Sequence, residues 1–235
     1  MTLEIVHEWW GRCAYEYDLF SEDCWTGLRT PLDQWGAQIA ACKSREAVQE
    51  ILGLRWQSID GILKVLAEEI ASYDPKSLVL LDDGSWYLRL LDHRYDDFKI
   101  AGSCIYVPSP ISDSGLAEML AEWRVHSVQF KEFMKAFAGI RESMFRAGMF
   151  LSIGDADHAR GIADTLPPGK WDDAFPFYFA LDGSSLLWSD ELGVAWWSFM
   201  DDELRECWSN LESFVSFYAS FRSRKEVFDC ASAIP

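Results

Sequence analysis

The stretch AFPFYFALDGSSLLWSDELGVAWWSF, residues 174–199, decides the fold class. It reads as three apolar strands, 174–181, 185–189 and 193–199, with Asp182-Gly183 as a turn between the first two. Strands this close together pair antiparallel, because a parallel connection needs a long crossover. Downstream, Leu211, Phe214, Phe217, Tyr218 and Phe221 share one face of a helix over 210–221, and Ser209 with Glu212 forms a capping-box pattern at its start. Upstream, 144–152 is expected as another strand. Before it, Phe130, Phe133, Met134 and Phe137 stripe a helix over Val128–Ala138, with Gly139 as its C′ residue. A further helix is expected at about 113–123.

The same pattern continues toward the start of the chain. Pro108-Ser109-Pro110 punctuates the sequence, and a boundary is expected there. Before it, Leu78–Leu81, Trp86–Leu91 and Ile100–Val107 read as a small antiparallel meander, with Asp82-Asp83-Gly84-Ser85 as a turn. Ile59, Ile62, Leu63, Leu66 and Ile70 stripe a helix over 57–72, which Asp74-Pro75 ends. Residues 31–52 are expected as two shorter helices broken near Lys43-Ser44, and Cys13 to Phe20 as a strand. Helices and antiparallel strands come in blocks, without β-α-β alternation. The expected class is therefore α+β, with antiparallel sheets flanked by helices.

The chain has 235 residues, 49% hydrophobic and 25% charged, with twelve Trp. Core material of that kind excludes intrinsic disorder. The net charge of −17 disfavours direct nucleic-acid binding and an anionic membrane surface, and it favours a basic protein partner. No apolar run reaches the roughly eighteen residues of a membrane-spanning helix. The opening Met1-Thr2-Leu3-Glu4-Ile5-Val6-His7-Glu8 carries early acids and no basic stretch, so it does not read as a secretory signal. A cytoplasmic location is expected. The six Cys are scattered without a Cys-x-x-Cys pair and read as small buried hydrophobes.

Catalytic signatures are thin. There is no Gly-x-Ser-x-Gly elbow, no His-Glu-x-x-His, no phosphate loop and no Gly-x-Gly-x-x-Gly. Gly154-Asp155-Ala156-Asp157-His158 is the most metal-like string, in an expected loop with nothing at fixed spacing to complete a site. Its simplest reading is a solvated acidic loop, and no cofactor or metal is expected. Trp9-Trp10 and Trp196-Trp197 could stack on sugars. Adjacent strand residues face opposite ways, so one Trp of each pair is expected in the core and the other at the surface.

The acids are more informative. Residues 155–206 hold twelve acidic side chains against three basic ones. Asp172-Asp173, Asp190-Glu191 and Asp201-Asp202-Glu203 are the dense points, with Trp171, Trp188, Trp196 and Trp197 between them. Aromatic anchors give affinity and charges steer the encounter, so this pattern suits an interface against a basic cleft. The expected contact residues are Asp172, Asp173, Trp188, Asp190, Glu191, Asp201, Asp202 and Glu203.

From about 111 onward the chain resembles the SMI1/KNR4 (SUKH) superfamily. The resemblance rests on Ile111-Ser112-Asp113, Ser127-Val128-Gln129-Phe130-Lys131-Glu132-Phe133 and Phe137-Ala138-Gly139-Ile140. It continues in Phe175-Pro176-Phe177, Asp182-Gly183, Gly193-Val194-Ala195-Trp196-Trp197 and the closing helix with Ser213-Phe214. Val125-His126-Ser127 stands where the family has Leu-Pro, and a single Gly139 stands where it has two. A GAD-like or DUF1851-type immunity fold is similar to nearly the same degree. The resemblance implies an SMI1/KNR4-like region over 111–225 and does not explain residues 1–110, which are expected as an N-terminal α+β region of unknown type; 226–235 is expected as a tail. The resemblance also implies a binding protein without catalytic residues, of the kind that protects against polymorphic toxins. The expectation is an immunity protein whose acidic, aromatic-lined face occludes the basic cleft of a cognate secreted toxin. A scaffold module for a host protein is the alternative. A small hydrolase or sugar binder using Asp155, Asp157 and His158 or an exposed Trp is a second.

Overall fold

The computed structural model describes residues 6–9, 12–21, 28, 30–81, 83–91, 104–142, 148–180 and 182–223. The expected tail over 226–235, Trp10, Cys24, Cys230, His93 and residues 100–103 and 144–147 of two expected strands lie outside them. The chain is α+β, and its strands pair antiparallel, flanked by helices. It gathers into two compact units: residues 1–58 with 67–110, and residues 59–66 with 111–235.

In the first unit, β1 (Val6–Trp9), β2 (Arg12–Asp18), β3 (Asp74–Leu81), β4 (Trp86–Leu91) and β5 (Cys104–Pro108) form an antiparallel meander. Between β2 and β3 come α1 (Gln34–Ala40), α2 (Arg45–Arg55) and α3 (Gly61–Ala71). The break between α1 and α2 has a local cause. The Ser44 hydroxyl accepts the Ala47 amide at 3.3 Å, and the Asp33 carboxylate accepts the Gly36 amide at 2.6 Å, so each helix starts on its own cap. Ile39, Val48, Leu52, Leu78, Leu80, Leu88 and Leu90 are buried as the core. β3 is apolar on both faces, because Val79 and Leu81 form a second buried cluster with Ala14 and Tyr87. Burial on both faces explains its continuous apolar run. Asp74-Pro75 both ends the helical pattern and opens β3, which starts earlier than its apolar run suggests.

The second unit holds the start of α3, α4 (Asp113–Glu122), α5 (Val128–Phe137), α6 (Ala156–Ala163) and α7 (Leu211–Ser223). Its strands are β6 (Arg141–Glu142), β7 (Met149–Phe150), β8 (Phe175–Phe179), β9 (Ser185–Ser189), β10 (Gly193–Ser198) and β11 (Glu203–Trp208), paired in that order. The α5 stripe packs ring against ring. Phe133 stands edge-on to Phe150, Phe177 and Phe214, with centroids 5.3, 5.9 and 6.1 Å away. Phe130 stacks on Trp188 at 4.6 Å. Gly139 ends α5 at φ 77°, and its amide donates to the Phe150 carbonyl at 2.8 Å. Gly193 opens β10 at φ 87°, and a Cβ there would lie 2.3 Å from the Trp208 carbonyl oxygen.

Several sequence expectations are corrected. Of the strand expected at 144–152, the described residues 148–152 hold the two-residue β7 at 149–150. The string at 154–158 lies not in an open loop but across a 3₁₀ turn (Ile153–Asp155) and the first residues of α6. β1 has only 4 residues and β11 carries Glu203, Arg205 and Glu206, so neither shows a clear strand pattern in the sequence. The cap of α7 is Asn210, whose side-chain oxygen accepts the Ser213 amide at 2.8 Å, in place of the Ser209–Glu212 box. Trp196 and Trp197 are both core, 3% and 2% exposed, because β10 is covered on both faces.

Candidate functional site

The β8–β11 meander carries the acids singled out above and sorts them to two ends. Trp197 pairs with Ser185 and Gly193 pairs with Ser189. The turns at 182–184 and 199–202 therefore share one end, and the turn at 190–192 lies at the other. Phe175 pairs with Trp188, so Asp172 and Asp173 belong with Asp190 and Glu191. The five residues of β9, at about 3.3 Å each, separate the two groups by about 15 Å. Asp201, Asp202 and Glu203 thus do not share one cluster with the other expected contacts.

At the 190 end Asp190 is engaged in building the fold. Asp190 accepts the Trp188 indole N–H at 2.7 Å through one oxygen, and the His126 and Ser127 amides at 2.5 and 3.0 Å through the other. It holds the residues that lead into α5, where the Ser127 hydroxyl caps the helix on the Phe130 amide. Trp188 is 5% exposed, sandwiched against Phe130. It is buried in the core, and its indole N–H is satisfied by Asp190. Asp172 accepts the Gly169 amide at 2.6 Å and remains exposed, as do Asp173 and Glu191. Lys170 pairs with Glu206 on β11, and this hydrogen bond holds the Glu206 carboxyl below its usual value.

The 182/199 end is different. Phe199 and Met200 are 54% and 76% exposed, large apolar side chains in a hairpin turn. Phe199 rests against Gly183 of the neighbouring turn, where an added Cβ would meet its ring at 3.3 Å, and stands edge-on to Trp197 at 5.6 Å. Around this pair lie the exposed carboxylates of Asp182, Asp201, Asp202 and Glu203. Local bonds shape the turn: Asp182 accepts the Ser184 amide at 2.9 Å, Asp201 accepts the Ser198 hydroxyl at 2.8 Å, and Asp202 takes a left-handed φ of 50°. Glu203 pairs with Arg205 at 2.7 Å, and the hydrogen bond lowers its carboxyl below the usual range. Phe199, Met200 and Asp182 were not among the expected contacts. The readable signal was two large apolar residues at a turn position, directly before an acidic run.

The metal-like string is occupied by local work. Asp155 accepts the Ser152 amide and hydroxyl at 2.8 and 2.6 Å, Asp157 pairs with Arg160 at 2.6 Å, and the His158 ring stands edge-on to Phe179 at 4.2 Å. Among the described residues no three His, Cys, Asp or Glu side chains gather as a metal set. Burial pushes the Cys42 and Cys207 thiols up, away from the thiolate form. No described helix is long and apolar enough to cross a membrane. No family model matches the chain, and neither a curated protein nor a solved structure matches it.

Proposed function

We propose that the chain is a non-catalytic binding protein, and that it serves in the cytoplasm as an immunity protein against a cognate secreted antibacterial toxin. The observation that carries this reading is the hairpin end where exposed Phe199 and Met200 stand among Asp182, Asp201, Asp202 and Glu203. Exposed apolar side chains in a mainly acidic surround, with Arg205 paired to Glu203, suit a protein interface: the apolar pair supplies buried contact, and the carboxylates draw in a basic cleft. The net charge of −17 adds a long-range attraction for such a cleft. The resemblance of the 111–222 pattern to SMI1/KNR4 proteins supports the immunity role over a general one. The mechanism is occlusion, in which acidic side chains occupy the positions of an anionic substrate, and it asks no chemistry of this chain. Asp172, Asp173 and Glu191 form a secondary acidic rim about 15 Å away.

The test is co-expression with the C-terminal domain encoded by the adjacent upstream gene, scored by surviving cells and by co-purification. Rescue by the wild type, and loss of rescue when Asp201, Asp202 and Glu203 are all changed to Lys, is the expected result. Rescue that survives both this change and Phe199→Ser with Met200→Ser would remove this end as the binding surface. Absence of any toxic neighbour would favour a scaffold role with a host protein.

A further inference from the structure

Arg55 closes α2 and is half-buried. Its guanidinium carbon lies 5.6 Å from the ring centre of Trp35 and 5.6 Å from that of Trp56, so two buried indoles flank one cation. Nη1 donates to the Pro108 carbonyl. The side of the guanidinium formed by Nε and Nη2 has no partner among the described residues, and no carboxylate there lies within ion-pair distance of Arg55. Burial alone, with no acid to offset it, lowers the Arg55 pKa to about 10. The Trp35 indole N–H belongs to the same clamp, and it too is buried without an acceptor.

Partial burial of a cation without an anion is unfavourable, and so is a buried donor without an acceptor. The arrangement supplies several donors and no acceptor beyond one carbonyl. The free Nε–Nη2 side is the fork that receives the two oxygens of a carboxylate in parallel. The two nearby indoles offer apolar walls, which suit an organic acid better than a fully hydrated inorganic anion.

We propose that Arg55, clamped by Trp35 and Trp56 and held by Pro108, is the anchoring group of a carboxylate-binding site. The carboxylate belongs either to a small organic acid or to the free C-terminus of a peptide, and the two sources are separable. The site lies outside the acidic hairpin end and is independent of the toxin-binding reading.

The experiment uses the full chain with its indole and Arg Nε–H signals assigned by NMR. Benzoate, a short peptide with a free C-terminus and the same peptide amidated are titrated separately. Saturable shifts of the Trp35 indole N–H and the Arg55 Nε–H with benzoate point to a small acid, and with the free-ended peptide only, to a chain terminus. Either supports the site. Arg55→Lys, which keeps the charge and loses the fork, is expected to weaken binding at least tenfold, and Arg55→Met to abolish it. If Arg55→Met fails to fold, Arg55→Lys and Trp35→Phe carry the comparison. No saturable shift with either ligand, equal binding by the Arg55→Lys protein, or equal response to the amidated peptide overturns the proposal.

Discussion

The hydroxyl of Tyr218, on α7, donates to the carboxylate of Glu142, on the two-residue strand β6, at 2.6 Å, with both residues buried. The other oxygen of Glu142 accepts from Tyr178 on β8 at 3.2 Å. Two tyrosines, 36 and 76 positions away in the chain, are thus fixed to one buried acid. Removing one donor from a buried acid costs on the order of 1–3 kcal/mol. Tyr218→Phe is expected to lower unfolding stability by that amount, measured by urea denaturation. Tyr178→Phe should behave the same way, with the double variant departing from additivity because both donors serve one acceptor.

Gly148 lies against the same group, since a Cβ there would sit 1.8 Å from the Tyr178 hydroxyl oxygen. Gly148→Ala is therefore expected to reduce the yield of folded protein sharply. In the background of Tyr178→Ala the same change should be tolerated far better, which thermal melts of the two pairs would reveal.

Trp188 anchors α5 through its stack on Phe130 and through Asp190. Trp188→Ala is expected to destabilise by about 3–5 kcal/mol, the range for a large aromatic removed from a core. Asp190→Asn keeps the shape and loses the charge that faces two backbone amides, and its expected cost is smaller, about 1–2 kcal/mol. A Trp188→Ala protein of unchanged stability but reduced partner binding would return this residue to the interface.

Phe199 and Met200 are exposed, so Phe199→Ser with Met200→Ser is expected to leave stability within about 0.5 kcal/mol of the parent. Partner affinity should fall at least tenfold. The triple Lys change at Asp201, Asp202 and Glu203 should act mainly on the association rate, with an effect that shrinks as salt is raised. Stopped-flow binding at two salt concentrations separates the two contributions.

The paired carboxylates of β11 set a pH signature. The hydrogen bond from Arg205 holds Glu203, and that from Lys170 holds Glu206, below their ordinary value of 4.5. A folded-state pKa below the unfolded one gives stability that is present above the unfolded value and is lost as pH falls through the folded one. Glu203→Gln with Glu206→Gln should therefore show a smaller loss of urea midpoint between about pH 6 and about pH 3.5 than the parent does. Equal losses would mean that these exposed pairs contribute nothing measurable.

Local pattern was enough for much of the fold. The aromatic stripe on α5 and the apolar one on α3, the caps at Ser44 and Ser127, and the glycine turns at Gly84 and Gly183 are all written within a few neighbouring residues. Helical and strand periods, together with block order, follow from such short-range information, so the α+β class with antiparallel strands was determined by the sequence itself. The acidic, aromatic character of 155–206 was equally plain.

What covers a strand, and which turns become neighbours, depends on residues far away in the chain. Trp196 and Trp197 are both buried because β10 has neighbours on both faces, which alternation along one strand cannot convey. β11 pairs through its backbone, so ELRECW has no apolar rhythm to announce it. The register of β8 to β11 carried Asp190 into the fold as the bond that steadies α5. The same register brought Gly183 under Phe199 and left Phe199 and Met200 exposed among four carboxylates. Strand pairing over long sequence separations made those choices, and it exists only in the folded chain.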